Sequence, residues 1–151
     1  MQSIKQNESG QQGLTIIEFL IATVVIGIVA SIAIAVFAGA MDRAKQKSTM
    51  ADMRIIARAI EAYSVDHHAV PDASNGLEAL KKIIIPYSAD TFPTKDHWGH
   101  DIYYVKDAAN NYTLESFGKD GLNGVDYAWD GKFDFTRDIV MYNGIFVAAP
   151  E

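Results

Sequence analysis

From Phe19 to Met41 the chain carries no charged residue, and the segment leading into that run, Gly13-Leu14-Thr15-Ile16-Ile17-Glu18, sets one acid alone near its start. About 20 apolar residues cross a bilayer as a helix. Between Leu14 and Met41 the polar neutrals are only Thr15, Thr23 and Ser31, so this segment can span. A secretory signal would have an apolar core of about 7–15 residues followed by a small-residue cleavage site. Here the run continues to Met41 and passes into a helical pattern. An ionised carboxylate in hydrocarbon costs roughly 2.5–3.5 kcal/mol at a helix centre and less toward the end, so Glu18 needs a partner, and the expected partner is another chain.

One span leaves roughly 100 of the 151 residues for a single small domain. The chain has no cysteine, which excludes a disulfide framework, so a small exported fold must take its stability from elsewhere, a bound metal being one source. A formal charge of −6 argues against nucleic acid, whose binding depends on clustered Lys and Arg. The basic cluster Arg43, Lys45 and Lys47 is short and adjoins the span.

Past the span the helical period continues, with Met53, Ile56, Ile60 and Tyr63 at three- and four-residue steps and Asp52, Arg54, Arg58 and Glu61 between them. No proline interrupts Leu14 to Val70, which predicts one long helix with a membrane half and an amphipathic half, ending before Pro71. The turn cluster Pro71 to Gly76 introduces a short second helix over Leu77–Ile84, capped by Ser74 or Asn75 and stopped by Pro86. Ile102-Tyr103-Tyr104-Val105 and Tyr112 to Phe117, separated by Ala109-Asn110-Asn111, predict a hairpin, with Ile139-Val140-Met141-Tyr142 as a further strand. Two strands rarely hold in water alone, so the small antiparallel sheet should lie on the apolar face of the long helix, giving an α+β fold with a long C-terminal loop.

Gly13-Leu14-Thr15-Ile16-Ile17-Glu18 resembles the processing site of type IV pilins and the pseudopilins of type II secretion. The resemblance implies a cleaved leader over 1–13, cut by a prepilin peptidase between Gly13 and Leu14, with N-methylation of Leu14. It also implies a transmembrane and assembly half over 14–41 and a periplasmic domain over 42–151. The ammonium of Leu14 on one subunit and the Glu18 carboxylate on its neighbour would neutralise each other where neither is tolerated alone, with Thr15 beside them. Two departures stand out: the leader is barely basic, with Lys5 against Glu8, and Ala35 stands where the family usually has a helix proline. Without that proline the span should be straighter, unless Gly27 and Gly39 supply flexibility. Charge does not set orientation, because Arg43, Lys45 and Lys47 compete with Lys5 for the cytoplasm; the resemblance implies a single-pass inner-membrane protein with its C-terminal domain outside.

Further motifs narrow the likeness to the G-type major pseudopilin: Val70-Pro71 with Gly76 to Leu80, Asp96-His97-Trp98-Gly99 followed by Tyr103-Tyr104, and Ser116-Phe117-Gly118-Lys119-Asp120-Gly121. These imply a subunit that polymerises through its N-terminal helix into a fibre driving protein export, working with minor pseudopilins and an inner-membrane assembly platform. A surface type IV pilus subunit for adhesion, motility or electron transfer shares the helix and is the nearest alternative. A signal-anchored periplasmic binding protein is the remaining one.

Asp120, Asp126, Asp130, Asp134 and Asp138 fall within nineteen residues together with Asn123, a set of hard oxygen ligands that suits Ca²⁺, though Asp and Asn also serve as ordinary turn residues. The EF-hand pattern is absent. The family likeness implies a calcium site in this loop, held by the carbonyl of Phe117 and the carboxylates of Asp120 and Asp138, with Asp134 as the next ligand and Asn123 and Asp126 behind it. The loop is longer than usual in the family and carries Tyr127, Trp129, Phe133 and Phe135, at least two of which should serve the core. His97 and His100 could hold zinc only with further ligands, and His67 and His68 fall at a helix end. The glycines of Gly118 to Gly124 lack the Gly-Lys-Ser/Thr ending of a phosphate loop. Without a catalytic cysteine, a Gly-x-Ser-x-Gly elbow or a His-Glu-x-x-His helix, the chain does not read as an enzyme.

Overall fold

A computed structural model describes residues 14–73, 76–88, 92–124 and 134–149. The chain divides into two compact units, Met1–Ala38 and Gly39–Glu151. Helix α1, Ile16–His67, begins in the first unit and ends in the second. It is helical through Ala35, Gly27 and Gly39, and within the first unit all described side chains are exposed, Ile16 at 82% and Val36 at 70% among them.

In the second unit α1 buries Met53, Ile56 and Ile60, as the apolar period predicts, while Tyr63 is only partly covered. The helix stops at His67 because His68 turns into the left-handed region at φ 53, three residues before Pro71. Helix α2 spans Leu77–Ile84. Its N-cap is Gly76, which offers no side-chain bond; the predicted caps Ser74 and Asn75 lie outside the described residues. Pro86 does not end the chain's winding outright: it sits inside a 3₁₀ turn, Ile85–Tyr87, whose first positions do not need its missing N–H.

The sheet has four strands in the order β1-β2-β3-β4, every neighbour antiparallel: β1 Tyr103–Lys106, β2 Tyr112–Ser116, β3 Ile139–Tyr142 and β4 Ile145–Ala148. Three were expected. The fourth follows β3 through Asn143-Gly144, with φ 45 and 78, and pairs Tyr142 with Ile145. Asn143 fastens that turn to β2, since its N–H donates to the Tyr112 carbonyl at 3.0 Å and its Oδ1 accepts from the Tyr112 N–H at 3.0 Å. Arg54 of α1 lies 5.2 Å from the ring centre of Phe146, which ties β4 to the helix.

One core holds the second unit together. Met53, Ile56 and Ile60 from α1, Leu80 and Ile84 from α2, and Leu114, Ile139 and Met141 from the sheet are all essentially inaccessible. Burying a large aliphatic side chain contributes about 1.5–3 kcal/mol relative to leaving it in water, so this face accounts for most of the α+β packing. Of the loop aromatics, Phe135 is partly buried, and Tyr127, Trp129 and Phe133 lie outside the described residues.

Candidate functional site

At the start of α1, Thr15 donates to Glu18 Oε2 twice, from its N–H at 2.8 Å and from Oγ1 at 2.7 Å, while the Glu18 N–H donates to Thr15 Oγ1 at 3.3 Å. This is a reciprocal capping box, in which each residue satisfies the other's orphan donor. Glu18 therefore has a partner inside its own chain as well as the one expected from a neighbour. The signal was present in the sequence as Thr-x-x-Glu directly before an apolar run. Leu14, 77% exposed, precedes the box; Gly13 lies outside the described residues. α1 is long and apolar enough to cross a membrane.

The second cluster forms where β2 leaves the sheet. Phe117 stacks on Tyr103 with ring centres 4.4 Å apart. Gly118 and Gly121 take φ 64 and 68, a conformation that glycine adopts without strain. At Gly118 the reason is also steric, because a Cβ there would meet the Arg137 carbonyl oxygen at 2.6 Å. Between the two glycines Lys119 donates its N–H to the Phe135 carbonyl at 2.8 Å, and Asp120 Oδ1 accepts from Leu122 N–H at 3.0 Å.

Asp138, just before β3, is buried. Its Oδ2 accepts from Gly124 N–H at 2.8 Å, whereas its Oδ1 is buried with no hydrogen-bond partner among the described residues. Burial pushes this carboxyl above the usual carboxylate range, and the charge of Asp120 adds to the push. The charges of Asp120 and Asp138 thus repel each other, and one of the two has an unsatisfied buried oxygen, an arrangement that an oxygen-seeking cation would relieve.

The other expected ligands are placed less favourably. Asp134 spends Oδ1 on its own turn, accepting from Thr136 N–H at 3.0 Å and Oγ1 at 2.6 Å, and these bonds hold it below the usual carboxylate range. Asn123 is exposed, and Asp126 lies outside the described residues. Among the described residues no three His, Cys, Asp or Glu side chains converge on one point. The two histidines of the Asp96–His100 turn engage different partners: His97 Nε2 lies 3.1 Å from Asp52 Oδ2 and His100 Nδ1 lies 2.9 Å from the Gly118 carbonyl.

The family model described as type II secretion system (T2SS), protein G, matches residues 36–130. Among similar proteins, the type II secretion system core protein G of Pseudomonas aeruginosa is 31% identical over 124 residues, covering 76% of this chain and 87% of that protein. The protein of the same name from Klebsiella michiganensis is 29% identical over 126 residues, covering 77% and 89%. The one from Vibrio cholerae is 28% identical over 129, covering 76% and 86%. No solved structure matches the chain. With its long apolar helix, its antiparallel sheet and a family match across most of the second unit, the chain belongs to the type II secretion system protein G family.

Proposed function

We propose that this chain is the major structural subunit of a type II secretion pseudopilus: inserted in the inner membrane by α1, cut after Gly13, methylated on Leu14, and polymerised by bundling of its apolar helices. The observation that carries the reading is the fully exposed apolar half of α1 with one acid at its head, in a chain of the protein G family. Such a surface is stable only in lipid or against other copies of itself. A head-to-tail contact that does not close gives an open filament, and growth of that filament beneath an outer-membrane channel would push cargo outward. The chain's role is assembly with its companion pseudopilins and platform rather than catalysis.

The same reading assigns calcium to the loop between β2 and β3. Asp120 and Asp138 are the carboxylates that would hold it, with the Phe117 carbonyl as the backbone ligand that the family likeness implies, and the orphaned Oδ1 of Asp138 is what makes the residues fit. The cation would supply positive charge where two acids are otherwise opposed.

Intact mass of the chain purified from membranes of cells containing a prepilin peptidase tests the first reading. A chain beginning at methylated Leu14 supports it; a chain that retains Met1 to Gly13 overturns it in favour of a signal anchor.

A further inference from the structure

His100 stands outside the ligand set expected for the loop, yet its ring touches both ends of the turn that carries those ligands. Its Nδ1 lies 2.9 Å from the carbonyl oxygen of Gly118, the residue after Phe117. Its edge lies under Gly121, the residue after Asp120, so closely that a Cβ there would meet Nε2 at 2.8 Å and Cε1 at 3.0 Å. A carbonyl only accepts, so Nδ1 is the protonated nitrogen of this imidazole. The ring is itself fixed. The Asp96 side chain is fully buried; its Oδ1 accepts from the backbone N–H groups of Trp98 and His100 at 2.9 Å each, and its Oδ2 accepts from Ser116 Oγ at 2.8 Å and lies 3.7 Å from His100 Nδ1. The Asp96–His100 turn is anchored to α1, because His97 N–H donates to Thr49 Oγ1 at 3.1 Å.

We infer that His100 is a positioning residue for the cation loop, holding the Phe117 carbonyl and the Asp120 carboxylate in place through its bond to Gly118 and its contact with Gly121. This rests on the assignment of calcium to that loop. The physical argument is pre-organisation: two left-handed glycines, one at each end, leave the 118–121 arch free to adopt many other conformations, and a ligand pair on such an arch binds a cation only after the arch has been ordered. A rigid donor braced by a buried carboxylate removes that cost before the cation arrives.

The test is calcium titration by calorimetry on the full chain in detergent, with thermal unfolding in chelator alongside. His100→Ala is expected to weaken calcium binding roughly ten- to a hundredfold, the usual effect of losing an outer-shell support. His100→Asn, whose amide nitrogen lies where Nδ1 does, keeps the bond to Gly118 but loses the contact with Gly121, and is expected to bind calcium more tightly than the Ala variant and more weakly than the parent. His100→Gln sets its donor one methylene further out and is expected to bind more weakly than Asn, which preserves the comparison if the Ala variant does not fold. A purely structural His100 would lower the unfolding temperature in chelator and leave the calcium affinity alike in all variants, and that result would overturn the assignment while sparing the calcium site. A parent chain that takes up no calcium would overturn both.

Discussion

Lys119 Nζ lies 2.8 Å from Asp42 Oδ2, an ion pair between residues 77 positions apart that joins the candidate cation loop to α1 just past the apolar run. Lys119 is half exposed and Asp42 largely covered, and the hydrogen bond from Lys119 is the main cause holding the Asp42 carboxyl below its ordinary value of 3.8. A carboxylate whose pKa is lower folded than unfolded adds stability above the unfolded value, and that stability is lost as pH falls through the folded one.

Asp42→Asn should therefore cost little, about 0.5 kcal/mol, because a part-exposed pair is screened by water and salt. The gap in unfolding temperature between parent and variant is expected to be constant from neutral pH down to the ordinary carboxylate range and to close below it. It should also narrow in high salt. A gap that persists in strong acid would show that Asp42 acts by packing rather than by charge.

Gly144→Ala tests the turn that makes β4. The residue sits at φ 78, and the added Cβ would approach Glu61 Oε1 at 2.5 Å. The Glu61 carboxylate ends a flexible side chain and can swing away, so the backbone conformation decides the cost, about 1–2 kcal/mol for an L-residue held left-handed. Denaturant unfolding should show a lower midpoint with an unchanged slope; a lower slope would mean that β4 had detached before the rest.

Calcium should reverse the sign of one substitution. Asp138→Asn removes a buried charge that has an unpartnered oxygen while keeping an acceptor for Gly124 N–H. In chelator the variant is expected to unfold at or above the parent temperature, because the desolvated charge is gone. In excess calcium the order should invert, since a cation bound only to the folded parent adds about 2.7 kcal/mol at a hundred times its dissociation constant. The same rank order in both conditions would remove Asp138 from the ligand set.

Long-period signals were legible in the chain and short polar ones were passed over. The α1 face Met53, Ile56 and Ile60 and the strands around Tyr104, Leu114 and Met141 follow from apolar spacing, because burial of one face is what selects helix or strand at each of them. Strand β4 was missed although Asn143-Gly144 between two apolar runs is a strong short-range hairpin signal. The Thr15–Glu18 box is a short polar signal, Thr-x-x-Glu, that the cost of placing the Glu18 charge in lipid overshadows. The role of His100 follows from no motif, since its partner Gly118 is eighteen residues away and contributes only a carbonyl. Likewise Asp120 and Asp138 could be named from the family likeness, but their different burial depends on where β2 and β3 end.

The Thr15–Glu18 box gives Glu18 two separable tasks, closing its own helix and meeting a neighbour's ammonium, and two substitutions divide them. Thr15→Ala removes the Oγ1 donor to Oε2 and the Oγ1 acceptor for the Glu18 N–H, and keeps the backbone N–H of residue 15 and the charge; loss of a cap costs about 0.5–2 kcal/mol at a helix end, a modest effect on a 52-residue helix. Glu18→Gln keeps a group able to accept from Thr15 and removes the charge. If the acid pairs across chains, Glu18→Gln is expected to be inserted, cleaved and methylated yet to yield no cross-linked oligomers from membranes, while Thr15→Ala forms them at a reduced level. Equal losses in the two variants would mean that the carboxylate serves the cap alone, and a neighbour's Leu14 ammonium would then have no role in register.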